Sequence, residues 1–105
     1  SISHSKDTVL VGFNETPIGV DIEVLREFDK RLIDRFFTKA EKEFIKDDAD
    51  FFRIWTIKEA YLKLTGEGLK NLRFNTVFDG KIMIEGYDIL SFINNGCMAS
   101  IVTKK

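Results

Sequence analysis

Phe51-Phe52-Arg53-Ile54-Trp55-Thr56-Ile57-Lys58-Glu59-Ala60-Tyr61-Leu62-Lys63-Leu64-Thr65 is the stretch that decides the fold. At about 100° per residue, Phe51, Ile54, Ile57, Tyr61, Leu62 and Leu64 make one broad apolar arc, the signature of an amphipathic helix. Trp55 and Glu59 fall near the edge of that arc and Lys63 just beyond it. Gly66 follows at a position suited to a left-handed helix stop. Lys58 is the odd member, because it points into the arc between Ile54 and Leu62, where an ammonium must either snorkel to water or meet an anion.

The segments before the helix have a different period. Val9–Phe13 is a short β-branched run, Asn14-Glu15-Thr16-Pro17 is a turn, and Ile18 to Val24 alternates, so the two runs read as an antiparallel hairpin. From Asp29 the pattern is helical through Leu32, Ile33 and Phe36, and Thr38-Lys39-Ala40-Glu41 is a capping box that starts a further helix. Asp47-Asp48-Ala49-Asp50 interrupts it and offers N-caps to the long helix. After Gly68, Asp79-Gly80 and Asn95-Gly96 are type I′ turn signals separating strands at Phe74–Phe78, Lys81–Glu85, Ile89–Ile93 and Cys97–Val102. Hairpin, helices and meander in that order predict an α+β fold: an antiparallel sheet packed against a helical segment, in one domain covering 1–105.

Composition narrows the function classes. Of 105 residues, 44% are hydrophobic and ten are Phe, enough for a core. A net charge of −1 argues against nucleic-acid binding by bulk positive charge. No apolar run approaches the roughly 20 residues of a membrane span, and no secretory leader pattern is visible, so the expected compartment is the cytoplasm. Cys97 is the single cysteine and reads as a small core residue. The chain opens on Ser1 without an initiator Met, which raises the expectation of a piece of something longer.

Three carboxylates carry the candidate chemistry. Asp21 and Glu23 share one face of their strand with Cα atoms about 6.5–7 Å apart. Such a pair repels itself unless water or a cation screens it, and Mg²⁺ favours one or two carboxylates completed by waters and substrate phosphates. A solvated outer sheet face is the other reading of the pair. Glu59 and Lys63 are i,i+4 neighbours and fit either a phosphate site or an ordinary surface ion pair. His4, between Ser3 and Ser5, offers hydrogen-bond donors for a phosphate, and a lone histidine with one cysteine does not make a usual zinc site.

Ile2-Ser3-His4-Ser5, Ile18-Gly19-Val20-Asp21-Ile22-Glu23, Arg35-Phe36-Phe37-Thr38, Trp55-Thr56-Ile57-Lys58-Glu59-Ala60-Tyr61-Leu62-Lys63 and Gly66-Glu67-Gly68-Leu69 occur in this order. The set resembles the Sfp-type 4′-phosphopantetheinyl transferases. The resemblance implies Mg²⁺-dependent transfer of the phosphopantetheine arm from coenzyme A to a serine of an apo carrier protein, with release of adenosine 3′,5′-bisphosphate. By the same resemblance Asp21, Glu23 and Glu59 are the metal ligands (Mn²⁺ also suits oxygen donors). Lys63 then stands at the transferring phosphate, Glu59 is the candidate base, and Ser3, His4, Lys58 and Lys63 belong to the coenzyme A site. Two alternatives stand beside this: a non-catalytic coenzyme A-binding or assembly remnant of the fold, and a metal-dependent phosphohydrolase.

The family implies a partner as well, an acidic acyl or peptidyl carrier protein docking near residues 26–46. Seven basic residues face five acidic ones there, and Phe36 and Phe37 are either an apolar anchor or core. Family members are pseudo-dimers of two similar halves, and this chain resembles the second, metal-binding half. The first half is expected to be supplied by a separate chain or by a homo-oligomer.

Overall fold

The structure is a computed structural model that describes residues 2–5 and 8–11 as backbone, and residues 17–68 and 71–105 in full. Gly12, Phe13 and the first three residues of the expected turn, Asn14, Glu15 and Thr16, lie outside the described residues. Three antiparallel strands form the main sheet in the order β3 (Ile18–Val24), β7 (Cys97–Lys104), β6 (Tyr87–Asn94). β1 (Ile2–Ser5) pairs with β2 (Thr8–Val11), and β4 (Val77–Phe78) with β5 (Lys81–Ile82). Three helices intervene: α1 (Lys30–Phe36), α2 (Lys39–Phe44) and α3 (Asp48–Thr65). The α+β class with an antiparallel sheet against helices is therefore the observed one.

Two connections differ from the expected topology. The described partner of β3 is β7, in a register that sets Asp21 opposite Ser100 and Gly19 opposite Val102, and β2 is laddered to β1 instead. Local alternation reveals that a strand exists but not its neighbour, and the longer β7 offers β3 seven paired positions. The meander is likewise split. Val77–Ile82 makes a small separate hairpin, while β6 and β7 form a long one. Both expected I′ turns are present, with φ of 56° and 73° at Asp79-Gly80 and 51° and 71° at Asn95-Gly96.

The helices start and stop where their caps require. Thr38 and Glu41 close the capping box reciprocally. The long helix begins at Asp48, three residues before the expected Phe51, because the side chain of Asp47 accepts from the Asp50 N–H. It ends at Gly66, whose φ of 75° suits a residue without a Cβ.

α3 lies across the main sheet at the centre of the molecule. Phe51, Phe52 and Ile54 pack with Phe37, Val77 and Met98, and the Phe51 ring stacks on Phe28 and Phe37 at 4.8 and 5.2 Å. Ile57 and Ala60 join Ile84 and Val102 further along. Fully burying each large apolar side chain is worth about 1.5–3 kcal/mol, so this aromatic block anchors the helix. Phe37 is thus core, with Phe36 half-buried against Trp55. Cys97 is buried as expected. The helix is covered around more of its circumference than the arc implied, since Phe52 and Thr56, which lie outside it, are buried as well.

Candidate active site

The site is set by how closely β3 and α3 approach. A Cβ at Gly19 would collide with the backbone carbonyl of Ala60 and sit 2.9 Å from Leu64 Cβ. Gly19 lets the strand and the helix touch, and it identifies the strand face turned to α3. Side chains two apart on a strand share a face, so Asp21 and Glu23 also point toward the helix that carries Glu59 and Lys63. The solvated-face reading is thereby excluded for Asp21, which is only 6% exposed.

Lys63 does not close the i,i+4 pair with Glu59. Its Nζ crosses to β3 and donates to Asp21 Oδ1 at 2.8 Å and to the Val20 carbonyl at 3.2 Å. The other carboxylate oxygen, Asp21 Oδ2, is buried without a hydrogen-bond partner among the described residues. Glu23 is more open and meets Arg26 at 3.3 Å. Arg26 in turn lies over the Phe52 ring and donates to the Val24 carbonyl.

The carboxylates titrate as a crowded set. Burial pushes Asp21 up to about 6 against the pull of Lys63, and the charge of Glu23 adds to the rise. Glu59 is pushed up to about 7, first by burial and then by the charge of Asp21, with Lys63 opposing. Lys63 does not offset this, and both carboxyls hold their protons to higher pH chiefly because burial disfavours the charged form. Among the described residues no three acidic, histidine or cysteine side chains converge into a ready-made cage for an ion. A Mg²⁺ site does not need one, because that ion keeps waters and substrate oxygens in its shell. The unpartnered oxygen, the hard oxygen donors and the excess negative charge fit a divalent cation.

Glu59 and Lys63 also line a cleft of about 340 Å³ with Leu62, Gly66 and Gly68. The acidic face therefore opens onto a space beside the C-terminal end of α3. Ser3 and His4 belong to β1 by backbone, opposite Leu10 and Val9, and their side chains lie outside the described residues.

Lys58 is placed elsewhere. Its ammonium is fully buried and donates to Glu41 Oε1 at 2.7 Å, to the Phe74 carbonyl at 2.7 Å and to the Phe36 carbonyl at 3.3 Å. Those contacts occupy all three donors, so the expectation that Lys58 contacts coenzyme A finds no support in this geometry. Of its two expected fates it has met an anion. In the sequence Glu41 carries only a capping signal. Here it accepts from Thr38 N, Lys58 Nζ, Thr76 N and Thr76 Oγ1, tying α2 and the 74–76 segment to α3. A second unforeseen group is a row of hydroxyls: Thr56 meets Ser100 at 2.7 Å and Ser100 meets Ser91 at 2.8 Å. Single Ser and Thr residues on one helix and two strands carry no sequence signal for such a row.

The fold and this face define an α+β domain with a partly buried acidic face met by Lys63 and Arg26. Comparison with known proteins gives its family. The family model described as the 4′-phosphopantetheinyl transferase superfamily matches residues 17–93. The chain is 36% identical over 75 residues to the 4′-phosphopantetheinyl transferase psf-1 of Bacillus pumilus, covering 66% of this chain and 32% of that protein. It is 42% identical over 81 residues to HetI of Nostoc sp. (69% and 34%), and 33% identical over 97 residues to Sfp of Bacillus subtilis (81% and 42%). The chain belongs to the 4′-phosphopantetheinyl transferase superfamily. It spans between about a third and two fifths of the length of these relatives.

Proposed function

We propose that this chain supplies the metal-binding and phosphate-handling wall of an enzyme that moves the phosphopantetheine arm of coenzyme A onto a serine of an apo carrier protein. The observation that carries the reading is the closed contact between β3 and α3, which sets Lys63 on one carboxylate oxygen of Asp21, leaves the other buried without a partner among the described residues, and brings Glu59 near enough for the charge of Asp21 to raise it. Asp21, Glu23 and Glu59 would hold a Mg²⁺ ion, with Mn²⁺ as a substitute. Bound there, it would supply Lewis-acid polarisation and charge neutralisation to the pyrophosphate of coenzyme A.

The chain's own residues account for the rest. The serine hydroxyl gives its proton to a Glu59 carboxylate oxygen, the serine oxygen bonds to the phosphorus of the phosphopantetheine arm, and the bridging P–O bond breaks. The electron pair leaves with adenosine 3′,5′-bisphosphate. Lys63 meets the charge growing on the phosphate oxygens, as phosphoryl transfer relies on positioning and electrostatics more than on covalent help. Ser3 and His4 are proposed for the phosphates of coenzyme A.

The carrier partner is proposed to be acidic and to dock near the α1–α2 surface, beside the groove where Arg26, Phe28 and Trp55 meet Glu23. The nucleotide end of coenzyme A is proposed to need residues from a separate N-terminal half or a second copy, in keeping with the fraction of its relatives that the chain covers. No helix among the described residues is long and apolar enough to cross a membrane, and a cytoplasmic carrier protein is the proposed setting.

The test is to incubate the protein with coenzyme A, Mg²⁺ and an apo carrier protein and to weigh the carrier. A gain of one phosphopantetheine arm is expected once the cleft is complete. Release of free phosphopantetheine with an unmodified carrier identifies a phosphohydrolase instead. Retained coenzyme A binding without chemistry identifies a non-catalytic remnant.

A further inference from the structure

The contact between Lys63 and Asp21 raises a question that the proposed transfer leaves open. A lysine intended for a substrate phosphate is tied instead to a carboxylate intended for a metal, at 2.8 Å, with the Val20 carbonyl as an additional acceptor at 3.2 Å. Two properties of the pair are unequal. Asp21 is buried on a strand held by a full antiparallel ladder, whereas the Lys63 side chain is 39% exposed and lies along the cleft. The lysine has a flexible four-carbon stem, while the aspartate has a short side chain on a fixed backbone. If anything in the pair moves, it is Lys63.

We infer that Lys63 is a tethered counter-ion that holds Asp21 until a divalent cation enters at Oδ2 and is then displaced into the cleft, where it becomes available to a phosphate oxygen. The inference rests on the proposed metal site. A dipositive ion held at Oδ2 would sit beside the ammonium on Oδ1, and like charges that close repel strongly at the effective dielectric of a protein surface. The Val20 carbonyl is neutral and supplies no charge to offset that repulsion. Binding of the cation and binding of the phosphate are then coupled through this chain, and such coupling is reciprocal. It adds to the direct attraction between the metal and the phosphate.

Mn²⁺ binding to the purified protein, without coenzyme A, tests the competition. Lys63→Met is expected to bind Mn²⁺ about fivefold or more tightly than the wild type, within the usual range of coupling between two sites. Unchanged or weaker binding by a folded Lys63→Met overturns the inference. A measurement on the wild type keeps it testable should that variant fail to fold. The rate of Lys63 acetylation by a small amine-reactive reagent, read by mass spectrometry, is expected to rise on saturation with Mg²⁺, and an unchanged or slower rate overturns the inference. Failure of the wild type to bind Mn²⁺ at all overturns the metal site as well, so the two failures are distinguishable.

Discussion

Asp21 and Glu59 hold a chemical tension that no other described residues share. Each carboxyl is raised, to about 6 and about 7, from ordinary values near 4. A carboxyl raised in the folded state holds its proton there more firmly than in the unfolded chain, so its contribution to stability is full at low pH and lost as pH rises through the folded value. Without a cation, the stability these two groups confer is therefore expected to fall between about pH 4 and pH 7. Thermal unfolding at pH 5 and pH 8 checks this, and the difference should shrink in an Asp21→Asn/Glu59→Gln double variant. Glu59→Gln alone should raise the melting temperature at pH 8 without metal by about 4 °C or more, the shift that about 1 kcal/mol makes in a domain of this size. At this scale the sequence was partly legible. Alternation put Asp21 and Glu23 on one strand face, and helical spacing put Glu59 and Lys63 on one helix edge. Nothing local could say that Lys63 would choose Asp21, 42 residues away, over Glu59.

Between elements, two contacts fix how α3 sits. The first is Gly19 against Ala60. Gly19→Ala should cost about 1–3 kcal/mol, as overpacking does, and should loosen the Asp21–Lys63 contact by separating strand from helix; urea unfolding and Mn²⁺ affinity should both register the change. The second is the buried pair of Lys58 and Glu41. Burial holds the Lys58 ammonium below its usual pKa against the pull of Glu41. Lys58→Met leaves Glu41 buried without its cation and should cost about 3–5 kcal/mol, whereas Lys58→Met/Glu41→Gln should recover only part of that, because it removes the unpaired buried charge but the glutamine amide nitrogen cannot accept from Thr38 or Thr76. Equal losses in the single and double variants, measured by urea unfolding, would count against this account of the pair. Caps and turns were the most readable features here, since Thr38-x-x-Glu41, Asp79-Gly80 and Asn95-Gly96 are local signals. Strand partners were the least readable. β3 finds β7 across the whole chain, and only tertiary packing selects that neighbour over β2.

At the scale of the molecule, one central helix carries both the core and the site. Its Phe51–Ile54 end is locked into an aromatic block and its Glu59–Lys63 end faces the acidic strand, so the geometry of the site depends on the packing of the same rod. Family membership was legible because motifs from β3, the α1–α2 junction and α3 occur in a fixed order, and the family model spans those same elements. The proposal that the coenzyme A cleft needs further residues belongs to this scale. A monodisperse monomer of residues 1–105 is expected to modify a carrier protein poorly or not at all, and efficient modification by that monomer would contradict it. The central claim is narrower: β3 and α3 together hold one divalent cation. Its most direct measurement is a Mn²⁺ binding titration of the wild type, Asp21→Asn and Glu59→Gln, with folding of each checked by circular dichroism. The account predicts one ion per wild-type chain and at least about tenfold weaker binding in each variant, equivalent to 1.4 kcal/mol. An absence of binding by the wild type, or equal affinity in all three proteins, would contradict it.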